Sequence, residues 1–369
     1  MRLPRLPIPA PPARHETVVS YLTRLATLHR LPTRELWEPV STPRPGTNRR
    51  DVDPDRLAVL TGRPDAELAR ALPELRSPAP DWVAWRHQSQ PRCPRCDARH
   101  DGGSVQRLLP QHRYVCDRHR YWIGPPDAGQ TATALDHPEQ GDLVAAQRRH
   151  LRLVRRHGAA AAFDAVLTGF LICGHFWADR RWQDAAVVRR WTRRGHLLIP
   201  AGRETREFSA SRVFAAVYPE AVHLAEVIAA PAWRHRAGGD SDQQAAFVAQ
   251  IGRVLDRPDY QPPERGDAIA HWMACDSSQP PSRPHTTYPQ TCANRATRMP
   301  KVSENSLDRH ARSATWFAAY RRGGTVVLHH RHIRPVLVRE WSTPMNGIEA
   351  TIWASQSAGH TVDRATPPQ

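Results

Sequence analysis

Two short cysteine-containing turns constrain this chain more than any other feature of it. Cys93-Pro94-Arg95-Cys96 and Cys116-Asp117-Arg118-His119 each place two ligand side chains on one tight turn, and nineteen residues lie between them. Such paired turns bring four soft or borderline ligands to one ion, and a Cys₃His set in tetrahedral geometry is the arrangement that suits zinc. Four protein ligands fill the coordination sphere, so the spacing implies one structural Zn²⁺ rather than a catalytic ion with an open position for water. Disulfides are the alternative use of these thiols, and a reducing compartment disfavours them. His100 and His112 lie inside the loop at spacings that fit less well and read as surface histidines. Cys173, Cys275 and Cys292 have no partner at ligand spacing, and Cys173, inside an apolar run, reads as a small core residue.

The chain around this pattern has 369 residues, enough for two or three domains at roughly 100–200 residues each. Arg and Lys outnumber Asp and Glu by 52 to 36, a formal charge of +16, which favours polyanionic partners because each cation meeting a phosphate releases a condensed counterion. Lys301 is the one lysine. A GC-rich coding bias accounts for Arg in place of Lys, but not for the excess of bases over acids. The start, Met1-Arg2-Leu3-Pro4-Arg5-Leu6-Pro7, breaks with proline before an apolar export segment forms. The stretch from Ala159 to Trp177 contains Asp164 and His175 and falls short of the ~20 residues a membrane span needs. A cytoplasmic protein without a membrane segment is expected.

Apolar spacing predicts helices through much of the chain. Val18, Leu22 and Leu25, with Val19 and Ala26, form one face of a helix over 16–29, with Glu16 in its first turn. Pro32 precedes a short helical piece ending at Trp37. Asp53 caps a helix that begins at Pro54, exposes a core face of Leu57, Val59 and Leu60, and stops at Gly62. Pro64 opens another, with Leu68 and Leu72 one turn apart. Two short helices joined by Thr61-Gly62-Arg63 have the outline of a helix-turn-helix, which makes Arg63 and Arg70 candidate DNA contacts. Residues 81–125 read mostly as loop.

Helices resume at Leu143–His157, Ala159–Trp177 and Trp182–Arg194, followed by Val213–Val217 capped by Ser209, Glu220–Ala229 started by Pro219, and Asp242–Leu255. Arg148, Arg152, Arg155 and Arg156 share one helical face, as do Arg189, Arg190, Arg193 and Arg194. Arg148, Arg152, Arg155, Arg189 and Arg193 are therefore candidates for phosphate contact. Trp182 and Trp191 beside the second group read as core residues in preference to base-stacking ones. Residues 276–307 are proline-rich and read as disordered. A helix at Asp308–Arg322, a hairpin from Thr325–Leu328 and Val336–Val338 and a helix at Ile348–Ala354 follow as a small module.

Catalytic patterns are missing from the sequence. His15-Glu16 has Val19 where a zinc-protease motif needs histidine, and Lys301 has no glycine-rich loop before it. The deaminase pattern fails because Pro91 is followed by Arg92. His329, His330 and His332 read as a basic loop. A non-enzymatic protein is expected.

The opening helix, Glu16-x-x-x-Ser20-Tyr21-Leu22-x-Arg24-Leu25-Ala26 after a proline-rich start, resembles the N-terminal signature of the TniQ family, with Tyr21 standing where tryptophan is expected. That family's helical pair and its Cys-Pro-x-Cys … Cys-x-x-His knuckle correspond to the segments at 53–72 and at 93–119. The resemblance covers about residues 5–125 well and extends more loosely to about 275. It implies an accessory factor of DNA transposition that helps select the target site and links DNA to a AAA+ transposition ATPase and a separate transposase. The proline-rich linker and the terminal module depart from that pattern.

The fold expected is mainly α. An N-terminal helical domain with a helix-turn-helix-like pair occupies 1–80 and a zinc-knuckle segment 81–135. A second helical domain spans 136–275, a disordered linker 276–307 and a small C-terminal module 308–369. A homodimer is compatible with this plan. Two other functions fit the same features: a zinc-containing helix-turn-helix transcriptional regulator, and a protein–protein adaptor without DNA affinity.

Overall fold

The computed structural model describes residues 4–43, 45–46, 50–80, 85, 89–124, 132–178, 180–182, 184–198, 210–262, 267, 269–270 and 272–273. The expected linker and the elements expected at 308–354 lie outside these residues, as do Ser209, Cys275, Cys292 and the three histidines at 329–332. The described chain is mainly helical and divides into two compact units, one ending at Ile123 and the other beginning at Gly124.

The first unit starts with α1, Val18–His29. The Thr17 hydroxyl caps it by accepting from the Ser20 N–H at 3.1 Å, and Arg30 closes it in the left-handed region at φ 54°. Val18, Tyr21, Leu22, Leu25 and Ala26 are buried, a stripe at i, i+3, i+4, i+7 and i+8. Two expectations fail here. Val19 is 43% exposed, because it falls a full residue off that stripe. Glu16 precedes the cap and is fully buried, so it serves an ion pair and not the helix dipole. The Tyr21 hydroxyl donates to the Ala10 carbonyl at 2.8 Å and pins the proline-rich lead-in to the helix.

Helix α2, Thr33–Trp37, leads into an antiparallel pair, β1 at Ser41–Pro43 and β2 at Arg50–Val52, in which Ser41 lies opposite Val52. Helix α3, Pro54–Thr61, has the expected cap at Asp53 and ends at Gly62 with φ 65°. Helix α4, Asp65–Ala71, buries Leu68 and is followed by buried Leu72. Val59 is 54% exposed, which corrects its assignment to the core: Leu57, Leu60 and Thr61 are the buried positions of α3. The core of these helices joins Leu22, Leu25, Leu36, Val40, Leu57, Leu60 and Leu68. A four-residue helix, α5 at Pro94–Asp97, and an antiparallel hairpin of β3, Val115–Cys116, with β4, Tyr121–Trp122, complete the unit. The segment expected to be loop thus carries regular structure at both ligand pairs.

The second unit contains α6 (Gly141–His157), α7 (Ala159–Ala178), α8 (Ala186–Leu197), α9 (Ala210–Ala229), α10 (Pro231–Ala237) and α11 (Ser241–Val254). Its centre is the packing of α7 on α9. Gly169 permits this approach, since a Cβ there would come within 2.2 Å of the Ala221 carbonyl oxygen. The division expected at Pro219 does not occur, and α9 runs through the proline. Interior proline costs about 3 kcal/mol; here Phe214, Val217, Tyr218, Val222 and Leu224 are all buried around it, and tertiary packing outweighs the local penalty. Trp182 and Trp191 are core residues, Trp182 stacked on Phe176 at 4.1 Å, as is Cys173. No described helix is long and apolar enough to cross a membrane.

Candidate metal centre and basic surfaces

Each ligand pair sits on a turn closed by its own backbone. Pro94 starts α5 with its φ already helical, and the Cys96 and Asp97 N–H groups both donate to the Cys93 carbonyl, at 2.8 and 3.0 Å. In the hairpin the Arg120 N–H donates to the Cys116 carbonyl at 2.7 Å, with Arg120 at φ 55°. These turns aim Cys93, Cys96, Cys116 and His119 at one point, their ligand atoms all within 4.8 Å of one another. Among the described residues no other group of three or more His, Cys, Asp or Glu side chains converges in this way.

The spacing fits a metal ion, and the thiols are not joined in disulfides. A tetrahedral ion with sulfur at ~2.3 Å and nitrogen at ~2.0–2.1 Å requires S···S edges of about 3.8 Å and S···N edges of about 3.6 Å. The Sγ atoms of Cys96 and Cys116 lie 3.8 Å apart, and His119 Nδ1 lies 3.3, 3.2 and 3.7 Å from the Sγ atoms of Cys93, Cys96 and Cys116. Sulfurs joined in a disulfide lie at about 2.05 Å.

Burial keeps Cys93, Cys96 and His119 in their neutral forms. Burial, reinforced by the neighbouring thiols, pushes Cys93 up to about 12, and burial raises Cys96 as well. Partial burial and then Arg118, Arg99, Arg95 and Arg92 hold the His119 imidazolium down, so the ring is the neutral base a cation needs. A coordinated cation deprotonates thiols outright, and three thiolates with a divalent ion leave one net negative charge. Arg107 is placed to answer it. Its guanidinium is buried and faces Asp97 at 2.7 Å, and its Nε and Nη1 have no hydrogen-bond partner.

A second buried cation ties this centre to α1. Arg24 donates to both carboxylate oxygens of Glu16, at 2.8 and 2.9 Å, to the Pro11 carbonyl at 3.0 Å and to the Asp101 carbonyl at 2.6 Å. Gly102 follows at φ 89°, where a Cβ would lie 2.4 Å from the Arg24 carbonyl oxygen. Residues 105–109 run beside the start of α1: Thr17 N–H donates to Gln106 and Leu108 N–H to His15, while Gln90 and Arg107 exchange a pair of 2.9 Å bonds. The loop that carries the ligand set and the N-terminal helices therefore form one body. Spacing alone missed Arg107, which is joined to its partners across long loops. Glu16, Ser20 and Arg24 stand four apart in the sequence, a spacing that was legible there.

The arginines expected to meet DNA fall into three environments. Arg148, Arg152 and Arg155 are exposed on α6 and make no ion pair or hydrogen bond among the described residues; Arg156 is exposed beside them. On α8 the expected basic face splits. Arg189 is exposed and Arg193 is exposed but paired with Glu139 at 3.1 Å. Arg194 is buried, bonded to Glu220 at 2.9 Å and paired with Asp142, and Arg190 is half-buried against Glu220. Arg63 is committed to the Glu67 carboxylate at 2.5 Å and the Ala10 carbonyl at 3.2 Å, whereas Arg70 is exposed. His100 and His112 are half-buried, not surface histidines as expected.

No protein-family model, curated protein or solved structure matches this chain.

Proposed function

We propose that this chain is a non-enzymatic, zinc-containing DNA adaptor of transposition, holding DNA while it connects target choice to a AAA+ ATPase and a transposase. The observation that carries the DNA part is the free cationic stripe of α6. Arg148, Arg152 and Arg155 stand at i, i+4 and i+7, about 10 Å along the axis at 1.5 Å per residue, close to three nucleotide steps of a DNA strand at ~3.4 Å each. Like charges at that spacing disfavour a bare helix, and phosphates relieve them. The transposition part rests on the TniQ resemblance of residues 5–125. A structural role for zinc follows from a coordination sphere already filled by Cys93, Cys96, Cys116 and His119.

Promoter reading by the α3–α4 pair is the weaker alternative. The first turn of α4 carries the exposed carboxylate of Asp65, which repels a phosphate backbone, and Arg63 is engaged with Glu67.

Duplex binding across a salt series tests the proposal. The expected result is a log Kd that rises steeply with log salt, and a triple Arg148→Gln, Arg152→Gln, Arg155→Gln variant whose slope is shallower by about 0.9 for each phosphate it no longer neutralises. Absence of duplex binding at 50 mM salt overturns the reading and favours the adaptor without DNA affinity.

A further inference from the structure

The first unit holds a second cationic site that the helix-pair outline does not anticipate. A cleft of about 790 Å³ opens along α4 and past its C-terminal end, lined by Arg14, His15, Glu67, Arg70, Arg76 and Ser77 among others. Its three guanidiniums have no carboxylate partner among the described residues. Arg14 reaches only the neighbouring imidazole of His15, at 3.3 Å, and Arg70 makes no side-chain bond. Arg76 donates to the Ala69 and Arg70 carbonyls at 3.1 and 2.9 Å and lies over the Trp85 ring at 5.3 Å, so it is held rigidly at the cleft wall. Glu67, the one acid in the lining, is neutralised by Arg63.

We propose that Arg14, Arg70 and Arg76 form a phosphate-binding cleft that grips the sugar–phosphate backbone of duplex DNA at the C-terminal end of α4. This rests on the DNA-adaptor reading and locates a second contact for it.

Three further features support the cleft. Burial and then the Arg14 charge lower Arg76, which reports like charges held close together. His15 is driven down to about 3, by burial first and then by Arg14, Arg76, Arg92 and Arg107, so the imidazole stays neutral in a strongly positive field. The His15 backbone sits at φ 66°, an unusual conformation for a non-glycine residue, and is fixed there by its N–H to the Ala71 carbonyl at 2.7 Å and by the Leu108 N–H to its own carbonyl at 2.9 Å. The strain sets Arg14 against the end of α4. Contacts of this kind position a protein on DNA without reading bases.

The test uses the full, zinc-loaded chain and a fluorescent 20-base-pair duplex of arbitrary sequence, with anisotropy read from 50 to 300 mM salt. Arg14→Gln with Arg70→Gln removes two exposed cations that carry no structural bond, so the fold should be retained. The expected result is a Kd raised at least tenfold at 100 mM salt and a log–log slope shallower by about 2, at ~0.9 per phosphate. The Arg14→Lys, Arg70→Lys form should restore most of the slope. Unchanged affinity and slope in the Gln variant, while the α6 triple variant loses both, overturns the cleft and leaves the DNA-adaptor reading standing. Absence of wild-type binding at 50 mM overturns both. Displacement of the duplex by polyglutamate at equal charge concentration also overturns the cleft, since it would then be a general acidic-peptide surface.

Discussion

The two units solve the same problem, a basic and proline-rich chain with a limited core, in different ways. In the second, helices α7 and α9 meet closely enough to need Gly169, and Phe176, Trp177, Trp182 and Trp191 fill the space around them. In the first, the segment from Gln90 to Ile123 has only a four-residue helix and a hairpin of two-residue strands, and buries Val105, Leu108, Leu109, Val115, Trp122 and Ile123 between them. What converges there is a ligand set, and the Glu16–Arg24 pair that fastens the loop to α1. Apolar packing dominates the second unit; the loop of the first adds a converging ligand set and buried polar bonds to its apolar residues. Each unit also buries an arginine against a carboxylate, Arg24 with Glu16 and Arg194 with Glu220, so the contrast lies in what surrounds those pairs.

The largest effect that separates the units is metal removal. Structural zinc contributes on the order of 10–16 kcal/mol to folding of isolated knuckles, so a strong chelator, or Cys116→Ser, should unfold 90–123 while 143–177 and 214–229 stay folded. Hydrogen exchange by mass spectrometry reads this directly, and loss of protection in both units at once would break the distinction.

Next come the buried ion pairs. Arg24→Met leaves Glu16 buried without its partner and should cost about 3–5 kcal/mol, lowering the first unit's transition and weakening metal retention. Arg194→Met should cost a similar amount in the second unit with metal content unchanged. Calorimetry with metal analysis distinguishes the two.

A smaller effect concerns Glu74, which accepts from the Val18 N–H at 2.9 Å and is pushed up to about 7, mainly by burial. Its folded state keeps a proton that the unfolded chain releases above about 4.5. Its contribution is therefore fully present below pH 4.5 and declines as pH rises to about 7. Glu74→Gln should stabilise the first unit by about 3 kcal/mol at pH 7.5, at ~1.4 kcal/mol per pH unit, and by almost nothing at pH 4.5. Denaturant titration of the two proteins between pH 4.5 and 7.5 is the measurement. The smallest effects are the caps: Asp53→Ala in the first unit and Asp240→Ala in the second should each cost about 1 kcal/mol, confined to their own transitions.

Local chemistry made much of this legible in the sequence. Ligand spacing identified all four converging side chains, and caps such as Asp53 and Gly62 located α3 within a residue, because these signals act over one helical turn. Where tertiary packing decides, sequence reasoning failed. Pro219 reads as a helix start until the buried residues on both sides of it are known, and Val59 looks like a core residue until Leu57 and Leu60 set the face. Arg194 has the same local context as Arg193, yet Glu220, 26 residues away, draws one inward while the other stays at the surface. Arg107 carries no local signal, since its partners come from separate segments of the chain.

X-ray absorption at the zinc edge on purified chain, with metal content measured on the same sample, tests the central claim most directly. The account requires one zinc per chain with three sulfurs at ~2.3 Å and one nitrogen at ~2.0–2.1 Å, and a loss of that shell in Cys116→Ser. A shell containing a water or carboxylate oxygen, or a metal-free protein with a Cys96–Cys116 disulfide and an intact fold, would contradict it.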